Sequence, residues 1–236
     1  MASTLAGRRL TEAHRLGQIR IGARTVQQIL ASWHILDPTN LDGTLERWLR
    51  VALSIISAQR HASASLSAGY LAAFRAAEGA DGDFLPVLAG AFTRRGAATA
   101  LTVTGPVAVK IASGRGELLD AAVEIGKTLS AGAAMRWALD GGRDTIFASV
   151  AADDQALGYA RATSGAPCYF CAMLAGRGAV YKSEETASFE AHDHCSCEPE
   201  PIYNDNADLP AGADKYGALW DRAGSVDEFR RLYEEG

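Results

Sequence analysis

Residues 41–74 read LDGTLERWLRVALSIISAQRHASASLSAGYLAAF, and this stretch decides the fold class. Leu45, Trp48, Leu49, Ala52, Ile55 and Ile56 recur at helical spacing, which places them on one buried face. Asp42 stands just ahead of them as an N-cap. The helix is predicted to continue through Tyr70 and Phe74 to the turn Gly79-Ala80-Asp81-Gly82. Residues 8–36 repeat the pattern: Ile19, Ala23, Val26, Leu30 and Trp33 share a face, and Asp37-Pro38 ends the run. Two such elements in succession predict a long αα-hairpin over residues 1–80.

Further on, residues 81–164 are alanine-rich, which favours helix and close packing but specifies little else. Helices are expected over 85–99, 105–113, 115–140 and 143–160, punctuated by Gly105-Pro106, Gly114 and Gly141-Gly142. After Ser164-Gly165 the chain changes to short loops, with a β-like scrap at Ala179-Val180-Tyr181. Residues 203–215 read as a polar linker, and a last helix from Ser225 to Glu234 carries Phe229, Leu232 and Tyr233 on one side. That helix either folds back on the core or docks on a partner. The expected fold is mostly α. It comprises the N-terminal hairpin (1–80), a helical body (81–164), a small irregular metal-knuckle module (165–203), and a linker with a C-terminal helix (204–236). Trp33, Trp48, Trp137 and Trp220 are expected as core anchors, Asp153-Asp154 as a surface face, and Arg143 as a helix-start or ion-pair residue.

The composition is that of an ordinary globular protein: 236 residues, 48% hydrophobic and 22% charged. No apolar run approaches the roughly 20 residues needed to span a bilayer. MASTLAGRRLTEAHR lacks the apolar segment of a signal peptide, so synthesis in the cytoplasm is expected and disulfides are not. The net charge of −5 is uneven: residues 1–110 hold 12 basic and 7 acidic residues, and the remainder is acidic. Such a split suggests two working surfaces or two normally solvated ones.

Chemistry concentrates in one place. All four cysteines and two of the five histidines lie in Cys168-x2-Cys171 and His192-Asp193-His194-Cys195-Ser196-Cys197. Thiolate sulfur and imidazole nitrogen are the donors of tetrahedral zinc, which needs four ligands where six are offered. Cys168, Cys171 and Cys197 are the first three expected, with His192 or Cys195 as the fourth. Reduced unligated cysteines and disulfides are the competing readings. A site filled by four protein ligands has no open position for water, so one zinc per chain would be structural, stapling a segment with little apolar core of its own. A catalytic site would keep a position open for water and place a base nearby, for which Glu184, Glu185, Glu190 and Asp193 are available.

The run from Cys168 to Tyr181 (CYFCAMLAGRGAVY), followed by His192-Asp193-His194-Cys195-Ser196-Cys197, resembles the signature block of phage Mu F-like head morphogenesis proteins. The likeness is to the actinobacteriophage branch. Gly141-Gly142-Arg143-Asp144-Thr145, Gly105-Pro106-Val107-Ala108-Val109-Lys110 and Asp227-Glu228-Phe229-Arg230-Arg231 are similar to that branch as well. The family pattern His-Pro-x-Cys-Arg-Cys falls on His192, Cys195 and Cys197. Asp193 stands where the family has proline, Ser196 where it has arginine, and His194 is an extra ligand that could substitute. The resemblance implies a minor capsid protein in few copies inside the virion head, near the portal. It would be made in the host bacterial cytoplasm and take part in procapsid assembly. Its implied partners are the portal protein and the major capsid or scaffold protein. Arg8, Arg9, Arg15, Arg20 and Arg24 on the first helix would suit packaged DNA or an acidic portal surface.

Members of that branch are also labelled capsid maturation proteases, which is the alternative function. A serine protease needs a serine and a histidine joined by the fold. His14, His34 and His61 all fall on expected helices, His61 lies beside Ser63 and Ser65, and no G-x-S-x-G elbow occurs. A cysteine protease could recruit Cys168 or Cys195 with a cluster histidine. A metal-dependent nuclease is disfavoured by charge, because Glu184, Glu185, Glu190, Asp193, Glu198 and Glu200 outnumber Arg177, Lys182 and the flanking Arg161 around the cluster.

Overall fold

The computed structural model describes residues 2–163, 167–176, 191–204 and 212–236. It is mostly helical. Helix α1 (Leu5–Ser32) starts at Thr4, whose side chain accepts the Gly7 N–H. Helix α2 (Leu41–Ala77) is capped by Asn40, not Asp42: the Asn40 side chain accepts the Gly43 N–H, and Asp42 falls in the first turn, where its charge complements the helix dipole. The two form the expected hairpin.

The expected helix over 85–99 begins only at Arg94, as α3 (Arg94–Thr102). Pro86 biases Leu85 away from helical backbone. The stretch before α3 is an extended strap fastened to α5 (Leu119–Ala152). The Val87 N–H donates to Ser149 Oγ at 2.8 Å and the Ala89 N–H to Thr145 Oγ1 at 3.0 Å. After α3, a π-helical turn over Val103–Val107 carries Pro106 into α4 (Ala108–Gly114). The widened turn absorbs the missing donor of proline, so Gly105-Pro106 deforms the helix without ending it.

Gly141-Gly142 does not break a helix either, since α5 runs through it. A Cβ at Gly141 would collide with the Arg60 carbonyl, and one at Gly142 would lie 2.5 Å from Gln18 Nε2 and Ser67 Oγ. These glycines let α5 approach α1 and α2 closely, which offsets their poor helix propensity. The expected helix over 143–160 stops at Ala152. Strand β1 (Gly158–Ala162) follows and pairs antiparallel with β2 (Glu198–Ile202), Gly158 opposite Ile202. The β-like scrap at 179–181 lies outside the described residues. Helices α6 (Tyr169–Ala175), α7 (Ala213–Ala223) and α8 (Val226–Glu235) complete the described elements. Helix α8 folds back: Phe229 is buried with Ala172, Ala175 and Tyr216, and the Tyr233 hydroxyl donates to the Pro167 carbonyl.

The main apolar core gathers Ile29, Trp48, Ile56, Leu101 and Ala134 between the long helices. Trp33 and Trp48 anchor it, their rings 5.6 Å apart, whereas Trp137 is half-buried and Trp220 is 37% exposed. The buried face of α1 is Gly7, His14, Gln18, Gly22, Thr25, Ile29 and Ser32, while Leu30 of the expected stripe is exposed. A polar network fills that seam. His14 Nε2 lies 2.8 Å from Ser67 Oγ, Gln18 Nε2 donates to Ser67 Oγ at 2.9 Å, and Ser63 Oγ donates to Gln18 Oε1 at 2.8 Å. Asp153 is buried too, not on a surface: it pairs with Arg75 at 2.9 Å and accepts the Tyr203 hydroxyl at 3.0 Å.

Burial pushes the His14 imidazole down to about 3. The unfolded chain therefore binds a proton below about 6.5 that the native state refuses until about 3. This contribution is complete above the unfolded value and is lost as pH falls from there towards 3. Between pH 7 and pH 5 the loss is roughly 2 kcal/mol. Urea midpoints of wild type and His14→Gln at the two pH values check this: wild type should fall more steeply, and parallel curves would refute it.

Candidate metal centre

Cys168 is the N-cap of α6, and its sulfur accepts the Cys171 N–H at 3.4 Å. The second knuckle reaches the first because β2 pairs with β1, which leads back towards α6. Within that knuckle, His194 adopts left-handed backbone (φ 64°), uncommon for a residue with a side chain. The reversal turns Cys195 inward and His194 outward, where its ring lies over Gly132 of α5.

Five of the six candidate ligands converge. Cys168 Sγ lies 2.8 Å from His192 Nε2, and Cys171 Sγ lies 3.9 Å from His192 Nε2 and 3.6 Å from Cys195 Sγ. Cys168, Cys171 and His192 form one triplet and Cys171, Cys195 and Cys197 another, each with donor atoms within 4.8 Å of one another. Cys171 belongs to both, and His194 to neither. Two thiolates on a tetrahedral ion with metal–sulfur bonds of about 2.3 Å stand roughly 3.8 Å apart, close to the Cys171–Cys195 separation. The His192 Nδ1–H donates to the Asp193 carbonyl at 2.8 Å, which leaves the Nε2 lone pair facing the cysteines. Anchoring of one ring nitrogen in this way is usual in metal-binding histidines. The described cysteines carry no disulfide. This cluster could hold a metal ion.

Arg143 of α5 fixes the knuckle to the helical body. It is 1% exposed, donates through Nη2 to the Cys195 carbonyl at 2.9 Å and through Nε and Nη2 to the Cys197 carbonyl at 3.1 Å, and pairs with Asp140 at 2.9 Å. It is an ion-pair residue in mid-helix, not a helix start. Arg136 adds a second tie at 2.8 Å to Asp193, and Arg161 Nη1 points at Cys171 Sγ from 3.8 Å. Burial opposes the Arg143 charge, but Glu198, Asp140 and Cys195 outweigh it and hold the guanidinium above its ordinary value. Burial also pushes the Glu198 carboxyl up to about 8 against the pull of Arg143, and neither of its oxygens has a hydrogen-bond partner. Glu198 Oε1 stands 3.8 Å from Arg143 Nη2, and Asp140, at 2.9 Å, is the closer counter-charge.

The thiols share protons unequally. Hydrogen bonds from Cys171 and Cys197, with help from Arg143, hold Cys195 far below the usual thiol value. The contact with Cys195 drives Cys171 up. Burial raises Cys168, but the His192 hydrogen bond outweighs it and the net shift is downward. Burial lowers His192, and Cys168 more than reverses that. Cys168 and His192 are exposed, whereas Cys171, Cys195 and Cys197 are buried.

The other candidates separate. His61 is exposed, while Ser63 is buried and bonded to Gln18. The fold joins a different pair, His14 and Ser67, which are 53 residues apart and both buried. The i, i+4 spacing of His14–Gln18 and Ser63–Ser67 on facing helices was the available signal. Glu184, Glu185 and Glu190 lie outside the described residues, and Asp193 is engaged by Arg136. On α1, Arg8, Arg9, Arg20 and Arg24 are exposed and Arg15 pairs with Glu12 at 2.7 Å. No described helix is long and apolar enough to cross a membrane.

A comparison with protein families matches residues 6–223 to the VG15 protein. No curated protein and no solved structure matches the chain. The family match takes in the long helices, both cysteine knuckles and α7, so the chain belongs to the VG15 protein family, a family of phage proteins.

Proposed function

We propose that this phage protein is a minor head protein of the Mu F-like kind, which binds the portal and the inner head shell during procapsid assembly and stays in the virion. Zinc held by the cysteine–histidine cluster would be a structural staple. The observation that best supports a binding role is the way the cluster is built: Arg143 locks its backbone to α5, and three of its sulfurs are buried. Bound there, zinc would cross-link two knuckles that have little apolar core between them. Cys171, Cys195 and Cys197 supply the buried wall, Cys168 and His192 compete for the remaining position, and His194 stays out. The arginines on the outer face of α1 offer a cationic surface for packaged DNA or an acidic portal face.

A second reading, a capsid maturation protease, has one observation in its favour. Cys168 and His192 are exposed, 2.8 Å apart, and His192 is oriented by the Asp193 carbonyl, as a thiol nucleophile and its base would be. Co-expression with portal, scaffold and major capsid protein separates the two. The binding reading expects wild type and Cys168→Ala alike to co-purify with portal while the scaffold stays uncut. Scaffold cleavage by wild type that Cys168→Ala abolishes would establish the protease.

A further inference from the structure

Two helix faces carry exposed apolar side chains flanked by opposite charges. On α1, Leu5, Leu16, Ala23 and Leu30 follow one another at whole numbers of helical turns, so they share the side opposite the buried His14, Gln18, Thr25 and Ile29. All four are exposed, Leu5 by 66%. Arg9, Arg20 and Arg24 flank them, and a shallow groove along that side is lined by Arg20, Ala23, Arg24, Gln27, Gln28 and Ala31. Glu12, the one acidic residue of α1, is paired with Arg15. The other face belongs to the first turns of α5. There Leu118, Ala121, Ile125 and Leu129 recur at helical spacing and are exposed, Leu118 by 81%. Glu117, Asp120 and Glu124 flank this stripe, and Lys127, the one basic residue of these turns, is paired with Glu124 at 2.6 Å. Among the described residues, Arg9, Arg20, Arg24, Glu117 and Asp120 have no ion-pair partner.

We propose that the two faces dock on each other between copies of this chain, α1 of one copy on the first turns of α5 of the next. The apolar stripes would cover each other while the cationic flank meets the acidic one, which fixes the pairing as much as it strengthens it. The alternatives are disfavoured by the same charges: α1 on α1 brings arginines together, and α5 on α5 brings carboxylates together. Because the two faces differ, each pair keeps one α1 face and one α5 face free. Association therefore continues past the dimer, into a ring if the rotation closes and a filament if it does not. This goes beyond the function proposed above, since the acidic surface that meets α1 is that of a second copy. It needs neither a metal nor the portal.

Sedimentation velocity of the full chain over a concentration series tests the contact by charge reversal. Wild type is expected to associate beyond the dimer and to dissociate as salt is raised. Arg20→Glu with Arg24→Glu makes both faces acidic, and Glu117→Arg with Glu124→Arg makes both cationic, so each doubly substituted chain alone should associate at least about tenfold more weakly. An equimolar mixture of the two restores opposite charges at every contact and should recover the assembly. All four positions are exposed, so both variants should melt close to wild type. A wild type that stays monomeric throughout the series, association that neither variant weakens, or a mixture that recovers nothing would overturn the proposal. So would a monomeric wild type that binds a short DNA duplex through Arg20 and Arg24, which would assign the α1 face to nucleic acid. Co-purification with portal is read separately, so failure here is distinct from failure of the minor-head reading.

Discussion

Cys171→Ser is expected to strip the zinc proposed for the cysteine–histidine cluster and to melt the region around β1, β2 and α6, while the long-helix body stays folded. Cys171 alone belongs to both ligand triplets, so its loss leaves no set of three intact. Structural zinc contributes about 10–16 kcal/mol in small zinc-dependent peptides, comparable to the whole stability of an ordinary domain. Between the two knuckles there is little apolar contact: among the described residues it is Cys171, Cys195 and Cys197 with Ala191. The helical body has its own core around Trp48 and Ile56 and does not need the ion. Metal analysis with hydrogen exchange reads both effects. His194→Ala is the control and should keep the full metal content. Retention of metal by Cys171→Ser, or its loss from His194→Ala, would mean that the ligands are arranged differently.

The second large effect is at Arg143. Replacement by methionine keeps most of the volume but removes the charge and its donors. Asp140 and the carbonyls of Cys195 and Cys197 are then left without that partner. Breaking a buried pair from one side costs about 3–5 kcal/mol, largely because the abandoned groups stay desolvated. Arg136→Met tests the comparison, because the Arg136–Asp193 pair is partly solvated and about 1 kcal/mol or less is expected. Urea unfolding monitored by circular dichroism measures both. A loss at Arg143 no larger than that at Arg136 would show that the knuckle is not held through α5.

The hairpin was legible because the inner face of α2 is apolar at helical spacing. The first helix was misplaced by about one position because its inner stripe is polar: His14, Gln18 and Thr25 are buried, and hydropathy points to Leu30 instead. Gly141-Gly142 looked like a break for a related reason. Glycine marks a turn or a close approach, and only the position of Arg60 across the interface says which. The strand Glu198-Pro199-Glu200-Pro201-Ile202 was invisible, since prolines and glutamates argue against a buried strand. In a two-strand sheet both strands are edges, so the prolines fit with their nitrogens off the ladder.

Of the candidate centre, the residues that gather could be read from spacing, but which of the six come together could not. The left-handed backbone at His194 turns that ring away from the cluster, and nothing in the H-x-H-C-x-C spacing signals it. Arg143 was recognisable as an ion-pair residue, yet its main acceptors are backbone carbonyls of residues more than 50 positions away. The family match supports the phage origin that the cysteine motif suggested, and it names the VG15 protein where the motif resembled the Mu F-like group.

The most direct test of the structural centre is metal content per chain in protein purified without chelator, with cysteine alkylation rates measured on the same sample. One zinc per chain, with Cys171, Cys195 and Cys197 slow to alkylate until the metal is removed, is the predicted result. No metal, together with a Cys168 that alkylates far faster than the other three, would contradict it and point to the cysteine nucleophile instead.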